Sequence, residues 1–334
     1  MNMVETTTAA RDRFSLDGRR VLVAGHTGMV GRALLRRLRR ERCEAVTVPR
    51  SALDLRRQKD VEDWMHDQRP DVVLLAAARV GGIMANSEHP AQFLRDNLAI
   101  SSNVIHAAHL AGVKKLLFIG SSCIYPREAP QPIREEHLLT GPLEPTNQWF
   151  AIAKIAALKM CQAYRREYGR DFITVMSTNL YGPGDNFDPA VAHVPAALIR
   201  RFHEAKVAGA DAVTVWGTGR PLREFLYVDD MADGCLFALQ HWSAEEPVNL
   251  GSGCEVSIGE FARLVADTVG FRGRIEFDTA KPDGTPRKKL DVSRMTALGW
   301  RARTSLRDGL AAAYRFFLSV KTTSPTPGRS LICW

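Results

Sequence analysis

The chain has 334 residues, 45% hydrophobic and 25% charged, the proportions of a globular protein with room for a large α/β domain and a smaller lobe. Its formal net charge of +8 favours anionic partners, yet Arg and Lys are scattered without a long basic run, so nucleotides are expected and nucleic acid is not. Residues 1–17 lack a signal-peptide core, no apolar run approaches the ~20 residues of a membrane span, and the six cysteines are widely spaced without C-x-x-C; the expectation is a cytoplasmic protein with reduced thiols, no membrane contact and no metal site.

Short apolar runs alternate with helical patterns along the first half. Val21–Ala24 reads as a buried strand and is followed by a helix over about Met29–Arg40. A strand at Ala45–Val48, a helix near Lys59–Asp67, a strand at Val72–Ala77 and a long helix over about Pro90–Ala111 come next. The strand Lys115–Ile119, a helix from Phe150 to about Tyr168 and the strand Phe172–Met176 complete the series. Continuous apolar strands alternating with helices predict an α/β protein with a Rossmann-type, doubly wound parallel sheet. Beyond Leu180 the pattern loosens into turn-rich stretches between short elements, predicting a smaller α/β C-terminal substrate lobe. The expected organisation is a disordered tail over 1–17, a nucleotide-binding domain over 18–180, an interleaved substrate lobe over mainly 181–319, and a flexible tail over 320–334.

Gly25-His26-Thr27-Gly28-Met29-Val30-Gly31 follows the first strand and opens the first helix. Glycines at this spacing let the backbone turn tightly and approach a pyrophosphate at the helix amides. The second strand ends in Val48-Pro49-Arg50 instead of an acidic residue, which favours a 2′-phosphate and hence NADP(H). The alternative for Arg50 is a solvated surface arginine. Ser121 and Cys123 follow the fourth strand at its carboxyl edge, where ligands lie in open α/β sheets. A serine there can bond a substrate carbonyl, and a cysteine can abstract a carbon-bound proton or be a small buried hydrophobe. Lys154 lies four residues after Phe150 among apolar neighbours, the spacing of a Tyr-x-x-x-Lys catalytic helix with the tyrosine replaced.

Taken together, these motifs resemble the extended short-chain dehydrogenase/reductase superfamily, and within it the GDP-L-fucose synthase family, over about residues 19–318. The resemblance also rests on Ala76-Ala-Ala-Arg-Val-Gly-Gly-Ile83, Gly120-Ser-Ser-Cys-Ile-Tyr-Pro126, Leu143-Glu-Pro-Thr-Asn147, Thr178-Asn-Leu-Tyr-Gly-Pro183, Arg223-Glu-Phe-Leu-Tyr-Val-Asp-Asp230 and Lys281-Pro-Asp-Gly-Thr-Pro-Arg-Lys288. It implies NADPH-dependent 3,5-epimerisation of a GDP-4-keto-6-deoxy sugar followed by 4-keto reduction, in a homodimer joined through helices 90–111 and 149–168. Cys123 and His193 would be the base and acid of epimerisation, and Ser121 with the residue at 150 would hold the C4 oxygen. Lys154 would support the cofactor. Arg50, Asp54, Leu55, Ile119, Gly120, Ser122, Ser177, Thr178, Asn179, Leu180 and His193 fall on cofactor positions, and Arg201, Trp216, Arg223 and Asp283 on substrate positions.

Two departures matter. Thr27 stands where the family usually carries arginine, and Phe150 stands where it carries the tyrosine that protonates O4. Phenylalanine keeps the ring and loses the proton donor, so reduction is expected to be slow and binding largely intact. The competing readings are an epimerase that releases the 4-keto sugar and a non-catalytic binder of NADP or a nucleotide sugar.

Overall fold

The computed structural model describes residues 13–323 apart from Ala190 and Pro282. β1 (Arg20–Ala24) leads through the glycine loop into α1 (Met29–Leu38), followed by β2 (Glu44–Val46), α2 (Gln58–Gln68), β3 (Val72–Leu75), α3 (Ile83–Glu88) and α4 (Pro90–Leu110). β4 (Lys115–Ser121), α5 (Gln148–Tyr168) and β5 (Asp171–Ser177) complete the expected alternation, both strands running on to a serine. Val72–Leu75 and most of β4 and β5 are buried residue after residue, because helices cover both faces of the sheet.

The second half holds β6 (Asn179–Tyr181), α6 (Val194–Ala208), β7 (Ala212–Trp216), β8 (Leu222–Tyr227), α7 (Val228–His241) and β9 (Val248–Leu250). β10 (Glu255–Ser257), α8 (Ile258–Val269), β11 (Arg274–Asp278), β12 (Arg287–Lys288), α9 (Ser293–Ala297) and α10 (Leu306–Thr323) follow. α8 starts on a capping box in which Ser257 and Glu260 satisfy each other's backbone amides.

The large sheet is parallel, in the order β2-β1-β3-β4-β5-β9. Its winding reverses between β1 and β3, the place where open α/β sheets bind ligands beyond the strands' carboxyl ends. β9 and α7 return to this layer after part of the smaller layer has been built. α7 shares an apolar core with α1 and is tied to it by Arg36–Asp229 and Arg37–Asp233 ion pairs at 2.5 and 2.7 Å. In the smaller layer β8 lies between β10 and β12 and also pairs with β6, while β7 pairs with β11. Phe202, Phe225, Phe261 and Leu310 are central to its core.

Two tail expectations need correction. Leu16 is buried against the α1 and α7 core, and the Phe14 amide donates to the Gln240 carbonyl at 3.0 Å. Two apolar residues in a polar stretch thus cover the rim of the sheet, where a composition reading saw only polarity. At the other end α10 continues through Thr323, so residues 320–323 are helical. Residues 1–12 and 324–334, including Cys333, lie outside the described residues. Among the described residues no helix is long and apolar enough to cross a membrane. Cys43, Cys123, Cys161, Cys235 and Cys254 carry free thiols.

Candidate active site

The glycine loop is folded against the residues that follow β3. Gly25 has a φ of 91°, in the left-handed region, and a Cβ there would lie 2.6 Å from the Ala77 amide nitrogen. A side chain on Gly31 would collide with the Gly25 carbonyl. Gly28 is the N-cap of α1 and offers no side-chain bond, and no acidic residue stands in the first turn. The leading amides are therefore uncapped by side chains, a donor set that suits a pyrophosphate. Met29 and Val30 pack partly into the core.

Arg32 was not singled out from sequence because it lies within an ordinary amphipathic helix. Its Nε donates to the Thr27 carbonyl at 2.8 Å. Burial, and then the charge of Arg32, hold the His26 imidazole below its ordinary pKa. A guanidinium thus lies against the loop although position 27 itself carries none.

At the adenosine edge the structure divides the expected residues. Asp54 is clasped by Arg56, with Nη2 2.6 Å from Oδ2, and that bond holds its carboxyl below the ordinary range. Leu55 is buried in the main core. Their side chains are committed to packing and pairing, which leaves backbone groups for a cofactor. Arg50, half-buried beyond β2, supplies a cation here whose charge reaches Asp54.

β4 and β5 end in register, with Ser121 opposite Ser177. Ser177 Oγ donates to the Gly120 carbonyl at 3.2 Å. Ser121 Oγ accepts the Cys123 amide at 3.4 Å, capping the short 3-10 turn Ser122–Ile124, so its own hydroxyl proton is left to donate elsewhere. Cys123 is only 7% exposed, and Ser122 and Ile119 are buried beside it. Thr178 Oγ1 and Asn179 Nδ2 both donate to the Glu224 carbonyl, at 3.2 and 2.9 Å, and Leu180 packs against the core.

Lys154 is 6% exposed, and its Nζ donates to the Ile119 carbonyl at 2.9 Å. Burial lowers its pKa to about 8, with Cys123 opposing the shift. Phe150 lies one helical turn earlier, its ring centroid 5.6 Å from Nζ. Neither Tyr125 nor Tyr181 takes its place. Tyr125 is buried with its hydroxyl donating to Asn249 Oδ1 at 2.7 Å. Tyr181 is buried in the smaller core, its hydroxyl directed at the Leu306 carbonyl at 3.5 Å.

His193 is the N-cap of α6, and the preceding Val191 carbonyl accepts the Gly82 amide at 3.2 Å, docking this turn beside the segment after β3. Its ring is open to water, yet the protein crowds round it as round any group lining a cleft. That crowding pulls its pKa below the ordinary value. Asp185, after β6, was not foreseen: burial raises its carboxyl to about 7 although the Asn186 amide donates to it at 2.8 Å.

The expected substrate residues come from α6, β7 and β8 of the smaller layer and from the loop between β11 and β12. Arg201 on α6 donates to the Thr214 carbonyl at 2.8 Å. Trp216 ends β7 with 59% of its surface exposed and Lys281 5.6 Å above its ring. Asp283 accepts the Thr218 amide and hydroxyl at 2.8 and 2.7 Å. Arg223 on β8 is held below its ordinary pKa by burial, with Asp283 opposing. Behind them the buried Glu224 carboxylate, whose pKa burial raises, accepts the Gly253 and Leu290 amides at 2.7 and 2.9 Å.

Residues 21–251 match the NAD dependent epimerase/dehydratase family. The chain is 55% identical over 306 residues to a GDP-L-fucose synthase of Sinorhizobium fredii, covering 92% of this chain and 98% of that protein. It is 52% identical over 309 residues to a GDP-L-fucose synthase of Escherichia coli, covering 90% and 96%. Its structure is similar to that of an NADP-bound GDP-L-fucose synthetase from Naegleria fowleri, with a TM-score of 0.86 at 28% identity over 94% of this chain and 99% of that one. On the strength of these full-length matches, the chain belongs to the GDP-L-fucose synthase family within the NAD dependent epimerase/dehydratase family.

Proposed function

We propose that the chain converts GDP-4-keto-6-deoxy-D-mannose to GDP-L-fucose, epimerising C3 and C5 and then reducing C4 with NADPH, with reduction slowed by Phe150. What supports the reading is the gathering of Ser121, Cys123 and Lys154 at the carboxyl ends of β4 and β5, in a chain whose relatives bear that activity in their names. NADP(H) is the cofactor and, when bound, supplies the hydride. The Gly25–Gly31 backbone and Arg32 hold its pyrophosphate, Arg50 its 2′-phosphate, Lys154 its nicotinamide ribose, and Ser177–Leu180 line its ring.

The protons at C3 and C5 are acidic because the C4 ketone accepts the electron pair left behind. Cys123 removes each proton, and His193 returns one from the opposite face. Crowding by the protein holds the His193 imidazole below its ordinary pKa, and the proton it returns to the sugar is replaced from solvent. Ser121 donates its hydroxyl to the C4 oxygen while that oxygen carries charge. Arg201 and Arg223 hold the diphosphate through planar guanidinium forks, and Trp216 and Asp283 complete the substrate lobe.

This division makes 18–180 the cofactor lobe and 181–319 mainly the substrate lobe. The protein works in the cytoplasm as a homodimer joined through α4 and α5. Those helices expose Leu98, Leu110, Trp149, Ile152 and Tyr168, which supports a partner surface there.

The test is to supply the 4-keto-6-deoxy sugar nucleotide and NADPH in deuterated buffer. Deuterium at C3 and C5 with NADPH oxidation is the expected result. Exchange without oxidation would make the chain an epimerase alone, and absence of both would remove the enzyme reading.

A further inference from the structure

Resting on that reading, the substrate lobe poses a problem of assembly. Two of its expected residues, Trp216 and Arg223, flank the turn Gly217-Thr218-Gly219, and a third, Asp283, lies on the facing loop. β7 and β11 run parallel, with Trp216 opposite Asp278, so the loops that leave them start side by side. The Asp278 carbonyl accepts the Gly217 amide at 2.9 Å and the Lys281 amide at 3.2 Å, which ties both loops at their roots.

Farther out, both Asp283 carboxylate oxygens turn to a single residue. Oδ1 accepts the Thr218 amide at 2.8 Å, and Oδ2 accepts the Thr218 hydroxyl at 2.7 Å. Thr218 Oγ1 in turn accepts the Arg220 amide at 3.2 Å, so the hydroxyl is fixed between its own turn and the opposite loop. Space is as exacting as the bonds. Gly217 has a φ of 81°, and a side chain there would collide with Asp283 Oδ1.

The junction lies between the groups expected to hold the nucleotide. On one side Trp216 precedes the turn, and the Lys281 ammonium lies 5.6 Å from its ring centroid, so a cation–π pair spans the same two loops. On the other side Gly284 abuts the Arg223 guanidinium: a Cβ there would lie 3.0 Å from Nη2. Arg223 Nη1 meanwhile donates to the Leu222 carbonyl at 2.8 Å. A free carboxylate at this place would repel a diphosphate. Asp283 instead directs its charge at Thr218.

We propose that Thr218 and Asp283 form a latch, and that both are positioning residues for the nucleotide sugar: by joining the two loops they fix the Trp216 ring and the Arg223 guanidinium at the spacing that a GDP group needs.

The probe is GDP itself, its binding measured by calorimetry for the unsubstituted chain, T218V, T218S, D283N and T218V/D283N. Valine keeps the shape and the backbone amide of threonine and removes the hydroxyl. T218V and D283N should each weaken GDP binding about tenfold, equivalent to about 1.4 kcal/mol. T218S restores the hydroxyl and should recover most of the affinity. Because the two residues act through one contact, the double variant should bind no more weakly than D283N alone. In turnover, KM for the sugar nucleotide should rise by the same factor, while kcat for C3/C5 deuterium exchange and the affinity for NADPH stay close to those of the unsubstituted chain. Thermal midpoints should also stay together, since the junction lies at the surface. GDP binding in T218V as tight as in the unsubstituted chain would overturn the latch. So would losses that multiply in the double variant, which would make Asp283 a ligand in its own right, or a fall in kcat with KM unchanged. An unsubstituted chain that binds GDP but gives neither exchange nor oxidation would remove the proposed reaction, and the GDP cycle would still decide the latch. Absence of GDP binding in the unsubstituted chain would overturn both.

Discussion

Phe150 keeps the ring that packs beside Lys154 and lacks only the oxygen at its far end, so restoring the hydroxyl tests chemistry with little change in packing. F150Y should raise NADPH oxidation about 10²–10⁴-fold, the range of a well-placed general acid, with C3 and C5 exchange changed far less. Loss of NADPH absorbance measures it, and an unchanged rate would remove position 150 from the chemistry. Tyr125 has the opposite character. Its hydroxyl is used to satisfy Asn249, whose amide and side chain also bond Glu135 and the Ile133 carbonyl. Y125F should cost about 1–3 kcal/mol in urea denaturation, the desolvation cost of an acceptor left unpaired, with kcat unaffected. A change in kcat without loss of stability would contradict this assignment.

At the scale of elements, the starts of β4 and β5 are held by charge as well as by their ladder. Lys115 is 2% exposed, with Nζ 2.9 Å from Asp171 and 2.8 Å from the Trp242 carbonyl. Arg165 of α5 bonds the same carboxylate at 2.7 Å. The pair is uneven. Burial outweighs the bridge for the lysine and lowers its pKa; burial pushes the Asp171 carboxyl up, but Lys115, Arg165 and Ser243 outweigh it and hold the group below its ordinary value. D171N should leave Lys115 buried without its anion and destabilise the fold by the low end of about 3–5 kcal/mol, since the carboxylate is partly open to water. Because the folded pKa of Asp171 is lowered, its contribution is full above the unfolded value of about 3.9 and is lost as pH falls through the folded value. The unsubstituted chain should thus lose more stability than D171N between about pH 4 and pH 2. Parallel acid limbs in denaturation would refute the assignment of that titration to Asp171.

For the whole molecule, the exposed apolar residues of α4 and α5 predict that charges placed there separate subunits. L98D/I152D should sediment as a 37.1 kDa monomer where the unsubstituted chain sediments as a dimer, and a monomeric unsubstituted chain would refute the proposed interface. What was legible without a structure is the parallel α/β layer, the glycine loop and the residues at the ends of β4 and on α5. Those signals are local: strands buried on both faces read as apolar runs, and a tight phosphate loop needs glycine whatever surrounds it. The smaller layer was hardly legible, because β6, β9, β10 and β12 are only two or three residues long, too short for a period to register. Their partners lie far away in sequence, as when β9 joins β5 or Glu224 meets Leu290. The same distance hid the engagement of Tyr125 and Tyr181. By itself the sequence determined which chemical groups the chain carries and which strand ends bear them. Only the tertiary structure decided which of those groups are already occupied by a partner, because occupancy depends on contacts between segments a hundred residues apart.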